Sequence, residues 1–366
     1  MVDANELASG ARASEARSEP QASGVHSGQP KASEVHLDRE HWSAARFVPG
    51  QRAGHYESWF QRANHPSRPL AFWIRYTIFC PRERPADAVG QLWAIAFDAE
   101  AERITAVKQE LPISECRFSA SGLLVRIGRA ELSSLGLAGA AASGGHRIAW
   151  QLAIGGGERP LLLLPRSWYA RRLPSAKALV STPGAVFDGW LEIDGARVAI
   201  DGWRGSQNHN WGSRHTDRYA WGQVAGFDGA EGAFLECSTA RVRVGPLWTP
   251  WLTLLVLRLE GRELVLNGLL CALRATARID GFTWRFDSRG PGVRIRGLIE
   301  APARAFVGLR YGNPPGGEKI CLNSKLARCE LVLEETGRPP RSLRTASRAA
   351  FEILTDQPAP GIPIVV

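Results

Sequence analysis

The residue types best suited to chemistry in this chain are two glutamates and a histidine that lie near tryptophans. Glu57 and Glu236 are candidate proton donors, because burial in an apolar site raises the pKa of a carboxyl group. His209 is a candidate proton donor or relay, since imidazole titrates nearest to neutrality. Tryptophan faces stabilise a nearby positive charge by about 0.5–2 kcal/mol each. We therefore treat Glu57, His209 and Glu236 as candidate catalytic residues.

Each of these residues also has an ordinary structural interpretation. A glutamate such as Glu57 is often the ion-pair partner of a nearby arginine, and tryptophans often fill a core. His209 stands in a glycine-rich segment, where a histidine commonly binds backbone groups. A metal site built from His209, His215, Asp201 and Asp217 matches no standard ligand spacing. We expect neither a metal ion nor a cofactor, and no phosphate-binding loop is present.

Residues 201–223 hold three tryptophans and two histidines within about twenty positions. If 218–226 is a strand, side-chain alternation places Tyr219, Trp221 and Gln223 on one face and small residues on the other. This pattern favours the wall of a curved barrel, although alternation does not show which face points inward. A ligand in such a barrel would contact Trp211 as well, and we count these four residues as candidate ligand contacts.

Two earlier runs alternate in the same way. In 54–60, His55, Glu57 and Trp59 share a face, and in 72–79 the shared face carries Trp73, Arg75 and Thr77. If both faces point inward, Glu57 and Arg75 can pair, since an unpaired buried charge is costly. Trp59, Trp73 and Arg75 are candidate ligand contacts, and so is Lys325 in a late polar segment.

The segments that carry these residues have the sequence pattern of short strands. Apolar runs at 55–60, 71–79, 92–97 and 146–154 have strand length, and Asp194-Gly195 joins two alternating runs as a hairpin turn does. Gly261, Asp228-Gly229 and Asp280-Gly281 supply further turns. Residues 130–142, rich in Ala, Leu and Gly, favour a short helix or a loop. The whole pattern predicts an all-β fold of antiparallel barrels or sandwiches.

Length, composition and charge argue against several classes of protein, including nucleic-acid-binding and membrane-spanning proteins. The chain has 366 residues and a net charge of +9, of which residues 1–45 carry −3. That segment is poor in large apolar residues and is predicted to be a disordered arm. The arginines are spread along the chain among acids, which does not favour nucleic-acid binding. The longest apolar run is too short to span a membrane. Six scattered cysteines are typical of reduced thiols in a cytoplasmic protein.

A family resemblance is visible in these segments. Tyr56-Glu57-Ser58 with Trp73-Ile-Arg-Tyr-Thr77, then His209-Asn-Trp-Gly212 with Tyr219-Ala-Trp-Gly-Gln223, resembles the carotenoid 1,2-hydratase and tocopherol-cyclase-like superfamily. That superfamily also contains lipocalin-like Diels–Alderases. The resemblance covers about residues 50–355. It implies two consecutive antiparallel lipocalin-like β-barrels, which we expect at 46–188 and 189–366, around an apolar ligand.

Two functions remain open at this stage. The resemblance implies a barrel pocket for a hydrophobic polyene, prenyl or polyketide-like molecule, with acid-assisted hydration or cyclisation as the reaction. The alternative is a binding protein that shields a hydrophobic ligand or lipid without chemistry. A buried acid that faces the pocket distinguishes them, because only the enzyme requires one. Peripheral contact with a membrane and the oligomeric state are left open.

Overall fold

The structure is a computed structural model and describes residues 32–365. Residues 1–31 of the predicted arm lie outside the described residues. Its last part is helical, since α1 spans Ala32–Ser43, so the prediction of disorder up to residue 45 is wrong there. The cause is Trp42, which is buried against Leu179 and Trp211. The indole N–H of Trp59 also donates a 2.7 Å hydrogen bond to the carbonyl of Ser43.

The first sheet contains twelve strands. In chain order these are β1 (His55–Asn64), β2 (Leu70–Cys80), β3 (Val89–Asp98), β4 (Arg103–Pro112), β5 (Cys116–Phe118), β6 (Leu124–Ile127), β7 (Ala130–Ser133), β8 (Gly136–Ser143), β9 (His146–Gly156), β10 (Leu161–Leu162), β11 (Ala176–Ile193) and β12 (Ala196–Gly212). Their order in the sheet is β4-β3-β2-β1-β12-β11-β9-β8-β7-β6-β5, and β10 pairs with β11. The sheet curls into a nearly closed barrel, in which the amide of Lys108 on β4 donates to the hydroxyl of Ser143 on β8.

The second sheet begins at residue 218. Its strands are β13 (Arg218–Phe227), β14 (Ala230–Arg241), β17 (Leu252–Leu259), β18 (Arg262–Leu266), β19 (Thr276–Asp280), β20 (Thr283–Gly290), β21 (Val293–Glu300), β22 (Val307–Gly312), β23 (Glu318–Glu335) and β24 (Arg341–Thr355). A small separate hairpin is formed by β15 (Arg243–Val244) and β16 (Leu247–Trp248), and helix α2 spans Leu269–Arg274. The sheet order is β18-β17-β14-β13-β24-β23-β21-β20-β19, with β22 beside β23.

The predicted all-β, antiparallel class is confirmed, since every pairing between named strands in 32–365 is antiparallel. The hairpin at Asp194-Gly195 is also confirmed: both residues have positive φ and join β11 to β12. The expected division of the barrels at 188/189 falls inside β11, whose hairpin partner β12 pairs with β1. The chain therefore passes from the first sheet to the second between Gly212 and Arg218. Residues 130–142 form β7 and β8, so the prediction of a helix or loop there is wrong.

Each sheet encloses an apolar core of its own. The first core is packed around Trp59, Phe72, Tyr76 and Trp150, and the hydroxyl of Tyr76 reaches across to the carbonyl of Glu131. The second core includes Val224, Leu235, Trp284 and Phe351. Because side chains alternate along a strand, residues beside these core positions point to the outer faces of the sheets. The two outer faces pack on each other through Trp73, Trp93, Trp221, Leu309 and Tyr311.

Candidate functional site

A cavity of about 270 Å³ lies between the two sheets rather than inside either one. Its wall comes from the outer face of β1, β2 and β12, from β13, β14, β17, β22 and β24, and from the segment around 163–179. The residues that the following argument uses are Tyr56, Phe60, Trp73, Arg75, His209, His215, Tyr219, Trp221, Glu236, Tyr311 and Glu352. Apolar side chains, aromatic and aliphatic together, make up most of the full lining, so an apolar molecule is the natural occupant.

Glu236 is the acid at the wall of this cavity. The strand register places Glu236 on β14 opposite Gln223 on β13. The indole N–H of Trp221 donates to its Oε1 at 2.7 Å, and Nε2 of Gln223 donates to its Oε2 at 2.8 Å. Burial raises the pKa of Glu236 to about 7, although these two hydrogen bonds and the charge of Arg62 act to lower it. Glu236 is therefore a carboxyl group that holds a proton up to neutral pH.

The groups behind Glu236 form a buried hydrogen-bonded network across the sheet interface. Oε1 of Gln223 accepts from Ser206 Oγ at 2.6 Å and from Arg62 Nε at 2.7 Å. Nε2 of Gln223 also donates to Asn208 Oδ1 at 2.8 Å. Because Gln223 uses all of its polar atoms in this way, its amide orientation is fixed. The network holds the carboxyl group of Glu236 in one position and joins β1 and β12 to β13.

The part of the cavity wall around Tyr311 carries a positive charge, that of Arg75. The guanidinium of Arg75 lies 4.4 Å from the ring centre of Tyr311, and the ring of Tyr56 stacks on His215 at 3.9 Å. Nε2 of His215 faces the carbonyl of Gly312 at 3.1 Å and so carries the hydrogen. Burial and the charge of Arg75 lower the pKa of His215 to about 3, against the pull of that carbonyl. His215 is therefore neutral, and Arg75 supplies the charge.

Glu352 also reaches the cavity wall, but its charge is neutralised. Its Oε1 accepts from Lys325 Nζ at 2.8 Å and from Asn323 Nδ2 at 2.9 Å, and its Oε2 accepts from the hydroxyl of Tyr219 at 3.4 Å. Lys325 is fully buried. Burial lowers its pKa, while the charge and hydrogen bond of Glu352 act to raise it. Lys325 and Glu352 therefore neutralise each other at the interface between the two sheets.

Glu57 lies on the opposite face of β1, toward the first core. Its carboxylate accepts from Nε2 of His209 at 2.7 Å, from Nε2 of His55 at 3.0 Å and from the backbone amides of Arg46 and Phe47 at 2.8 Å each. Burial acts to raise the pKa of Glu57, but the hydrogen bonds and charges of His209 and His55 outweigh it and hold the pKa well below its usual range. Glu57 is consequently ionised, and it ties the chain after α1 to the barrel.

His209 is held from both sides. Its Nε2 faces the Glu57 carboxylate at 2.7 Å, and its Nδ1 faces the backbone carbonyl of Trp42 at 2.7 Å. The ring stacks on Trp59 at 4.9 Å and lies tilted against Trp211 at 4.7 Å. His209 and His215 have separate partners, so the structure does not bring them together as metal ligands. Within residues 32–365 there is no group of three or more His, Cys, Asp or Glu residues that could hold a metal ion.

The sequence-predicted site residues fall into two groups. The structure brings the first group together at the cavity wall: Glu236, Trp73, Arg75, Tyr219 and Trp221. His209 also borders the cavity, but its ring lies on the Glu57 side of the sheet, beside Trp59. The second group stands behind the wall or on the other side of the sheet: Glu57, Trp59, Trp211, Gln223 and Lys325. The expected Glu57–Arg75 pair is wrong, because β1 and β2 place Phe60, not Glu57, opposite Arg75.

Sequence reasoning missed several residues of the cavity wall. Tyr56 and Phe60 share the β1 face that points away from Glu57, and Tyr311 and Glu352 come from strands late in the chain. Alternation along β1 contains the signal for the first two. It becomes usable only once the β1–β2 register shows that Phe60 and Arg75 share a face. Tyr311 lies in the late polar run 310–313, which the sequence marks without indicating a role for this residue, whereas nothing local marks Glu352.

The mouth of the cavity is bordered by exposed apolar side chains. Val242, at the base of the β15–β16 hairpin, and Leu269, at the start of α2, both line the cavity. Farther out, Leu247 on the hairpin is 72% exposed and Leu270 on α2 is 67% exposed. Arg241 stacks over Trp248 and Trp251 at 4.5 Å each beside this rim. Neither helix in 32–365 is long and apolar enough to cross a membrane.

Comparison with known proteins supports the fold and leaves the activity open. No protein-family model matches the chain. A Mycobacterium tuberculosis protein described as uncharacterized protein Rv0493c is 26% identical over 315 residues, covering 82% of this chain and 88% of that protein. Protein NE1406 of Nitrosomonas europaea has a solved structure that superimposes with a TM-score of 0.53 at 12% identity, covering 85% of this chain and 99% of that one.

A second solved structure has a similar fold. CghA, crystallised with Sch210972, superimposes with a TM-score of 0.50 at 11% identity, covering 86% of this chain and 95% of CghA. At these identities the likeness concerns the fold alone. The chain thus shares the architecture of two consecutive β-sheets, each curled around its own core, with proteins that match it over nearly their whole length.

Proposed function

We propose that this protein binds a hydrophobic polyene, prenyl or polyketide-like small molecule between its two sheets and catalyses acid-assisted hydration or cyclisation. The observation that carries the proposal is Glu236, a buried carboxyl group at the wall of a mostly apolar cavity, with a pKa raised to about 7. A binding protein that only shields its ligand has no need of such an acid, and burying one without function is costly. CghA, which shares the fold, was solved with Sch210972 bound, which supports a ligand site in this architecture.

The proposed reaction follows from the chemistry of a buried carboxylic acid. The Glu236 O–H transfers its proton to one alkene carbon, whose π electrons form the new C–H bond and leave a carbocation on the neighbouring carbon. The faces of Trp73 and Trp221 and the ring of Phe60 shelter that positive charge. In a hydration, the oxygen of a water molecule adds to the cation. In a cyclisation, a second alkene adds. In both, a proton returns to the Glu236 carboxylate and restores the acid.

Solvent deuterium distinguishes catalysis from plain binding. The protein is incubated in D₂O with geranylgeranoic acid, geranylgeraniol and lycopene, and the recovered lipids are analysed by mass spectrometry for deuterium on carbon. We expect incorporation with the native protein, loss of it with Glu236→Gln, and no change with Glu131→Gln, an exposed acid paired with Arg126. Gln can keep the hydrogen bond from Trp221, so ligand uptake should persist. Uptake of these lipids by the native protein without any incorporation would establish the non-catalytic alternative.

The exposed rim suggests how a lipid reaches the cavity. We propose that the hairpin at 242–249 and helix α2 contact an anionic bilayer, with Leu247 and Leu270 entering the lipid and arginines such as Arg241 and Arg243 facing its headgroups. Apolar side chains and basic groups are combined at this one place, and that place is also the opening of the ligand cavity. Such a surface would pass a membrane-dissolved ligand inward without exposing it to water.

Vesicle co-sedimentation tests this surface. We expect the protein to sediment with phosphatidylcholine vesicles that contain phosphatidylglycerol, and less with phosphatidylcholine alone. The double variant Leu247→Asp, Leu270→Asp should lose this binding. The control Leu135→Asp, at a position 75% exposed on the first sheet, should keep it. Equal sedimentation of all three proteins would contradict membrane contact at this rim.

A further inference from the structure

Arg75 differs from the other buried cations of the sheet interface. Arg62 donates to Gln223 and Asn64 at 2.7 Å each, and Lys325 is paired with Glu352. Arg75 is 4% exposed, yet its guanidinium makes neither a hydrogen bond nor an ion pair with any of residues 32–365, and its Nε is buried without an acceptor. A buried guanidinium normally has a carboxylate or several carbonyl partners, because its desolvation is otherwise uncompensated.

The surroundings of Arg75 hold it in place without supplying an acceptor. Its guanidinium lies 4.4 Å from the ring centre of Tyr311, 5.9 Å from that of Trp73 and 6.0 Å from that of Trp93. Cation–π contacts offset part of the desolvation cost. The indole N–H groups of Trp73 and Trp93 are likewise buried without a partner in the described part of the chain. Three donor groups, the Nε of Arg75 and the indole N–H groups of Trp73 and Trp93, are thus left without an acceptor in the described part of the chain.

The other groups in this part of the cavity wall do not neutralise Arg75. Glu352 uses its Oε1 on Lys325 and Asn323. His215 is neutral, since burial and the charge of Arg75 keep its pKa low. Tyr56 and Tyr311 are neutral phenols, because burial raises their pKa values against the opposing charge of Arg75. The cavity wall around Arg75 therefore lacks a negatively charged group whose oxygen atoms could accept hydrogen bonds from the guanidinium.

We propose that the apolar molecule bound in this cavity carries a carboxylate group, which Arg75 binds. This inference rests on the proposed function and adds a substrate class to it: an apolar acid. A carboxylate matches the planar guanidinium through two parallel hydrogen bonds and needs no second cation. With the carboxylate at Arg75, the apolar remainder occupies the part of the cavity that Trp221 and Glu236 line. Arg75 would thereby determine which carbon atoms reach the acid.

A matched acid and ester test the proposal. The probes are cis-parinaric acid, a fluorescent polyene carboxylic acid, and its methyl ester, titrated at mildly alkaline pH where the acid is ionised. We expect the native protein to bind the acid at least about tenfold more tightly than the ester. Arg75→Met should bind both at the affinity of the ester, and Arg75→Lys should keep part of the preference. Arg310→Met, which removes an exposed arginine paired with Glu318, is the control and should behave like the native protein.

The outcomes separate this inference from the proposed function. If the native protein binds acid and ester equally, the carboxylate is not recognised and this inference fails while binding in the cavity stands. If it binds neither probe, the proposed ligand site itself is contradicted. If Arg75→Met does not fold, the acid–ester ratio of the native protein and of Arg75→Lys still decides. A native preference for the acid that persists in Arg75→Met would place the carboxylate elsewhere and overturn the role of Arg75.

Discussion

Trp221 donates its indole N–H to the carboxyl group of Glu236 at 2.7 Å, and both side chains line the same cavity. The two residues stand on neighbouring strands, β13 and β14, whose other faces pack into the second core. A hydrogen bond from an indole stabilises the ionised carboxylate, whereas burial favours the neutral acid. Because burial prevails only in part, Glu236 exchanges its proton near neutral pH, which suits a group that must both give and recover a proton.

Glu236 should titrate with a midpoint near pH 7 in the folded protein. The carboxyl C=O stretch in the infrared, taken as the difference between the native protein and Glu236→Gln, measures it directly. Deuterium incorporation into a substrate should fall as pH rises through about 7, since the proton donor is lost. A carboxyl band that disappears around pH 4.5, the ordinary value for glutamate, would contradict the assignment.

The raised pKa of Glu236 also makes the stability of the fold depend on pH. Because the pKa of Glu236 is higher in the folded than in the unfolded chain, the folded state binds an extra proton between about pH 4.5 and 7. The contribution of this residue to the free energy of unfolding therefore falls as pH rises through that window and is constant above it. Glu236→Gln should lack this component.

Glu57→Gln should destabilise the fold. The substitution leaves His209 and His55 without their anion and replaces an acceptor of the Arg46 and Phe47 amides with an amide N–H. Removing one partner of a buried ion pair costs about 3–5 kcal/mol. Urea unfolding measures the loss. The control Glu131→Gln breaks an exposed pair with Arg126 and should cost no more than about 1 kcal/mol.

Low pH should weaken the contacts that Glu57 makes with His209 and with the chain after α1. The pKa of Glu57 is lower in the folded than in the unfolded chain, so its contribution to stability is full above the ordinary pKa of glutamate and is lost as pH falls below it. Loosening of α1 should accompany this loss, because His209 binds the carbonyl of Trp42. If Glu57→Gln is as stable as Glu131→Gln, Glu57 does not anchor this segment.

The fold was largely predictable because its signals are local. Asp194-Gly195 specifies a tight hairpin through the positive φ that both residues adopt, and the alternating runs on either side need no distant partner to be recognised. Residues 130–142 show where this reasoning ends. Gly139 lies over Trp150, and a Cβ atom at this position would come within 2.9 Å of the indole. The small residue is therefore required by the packing of a strand against Trp150 and does not indicate a helix or a loop. Composition alone does not reveal that requirement.

The site was less predictable because it depends on register and on the docking of two sheets. Alternation correctly grouped Trp221 with Tyr219 and Trp73 with Arg75. It did not show that Glu57 faces the first core while Arg75 faces the second sheet, because that requires knowing that Phe60 lies opposite Arg75. The cavity itself arises where two outer faces meet, and no single segment encodes that contact.

The close approach of β12 to β1 gives the last prediction. Gly205 pairs with Ala63, and a Cβ atom at this position would lie 1.8 Å from the carbonyl oxygen of Arg62 and 2.7 Å from the Cα of Ala63. Both contacts are with backbone, so no side-chain rotation relieves them. Gly205→Ala should therefore force the two strands apart and lower the free energy of unfolding by about 3 kcal/mol, measured by urea unfolding.

Gly155→Ala provides the matched control. Gly155 is also a strand glycine, on β9, but a Cβ atom there would meet nothing within 4 Å. Alanine reduces the entropy of the unfolded chain, so this variant should be equally stable or more stable by up to about 1 kcal/mol. Since Gly205 adjoins Ser206, which donates to Gln223, separation of the strands should also disturb the network that holds Glu236. Equal stability of the two alanine variants would show that β1 and β12 tolerate a wider spacing, and that this spacing does not position the acid.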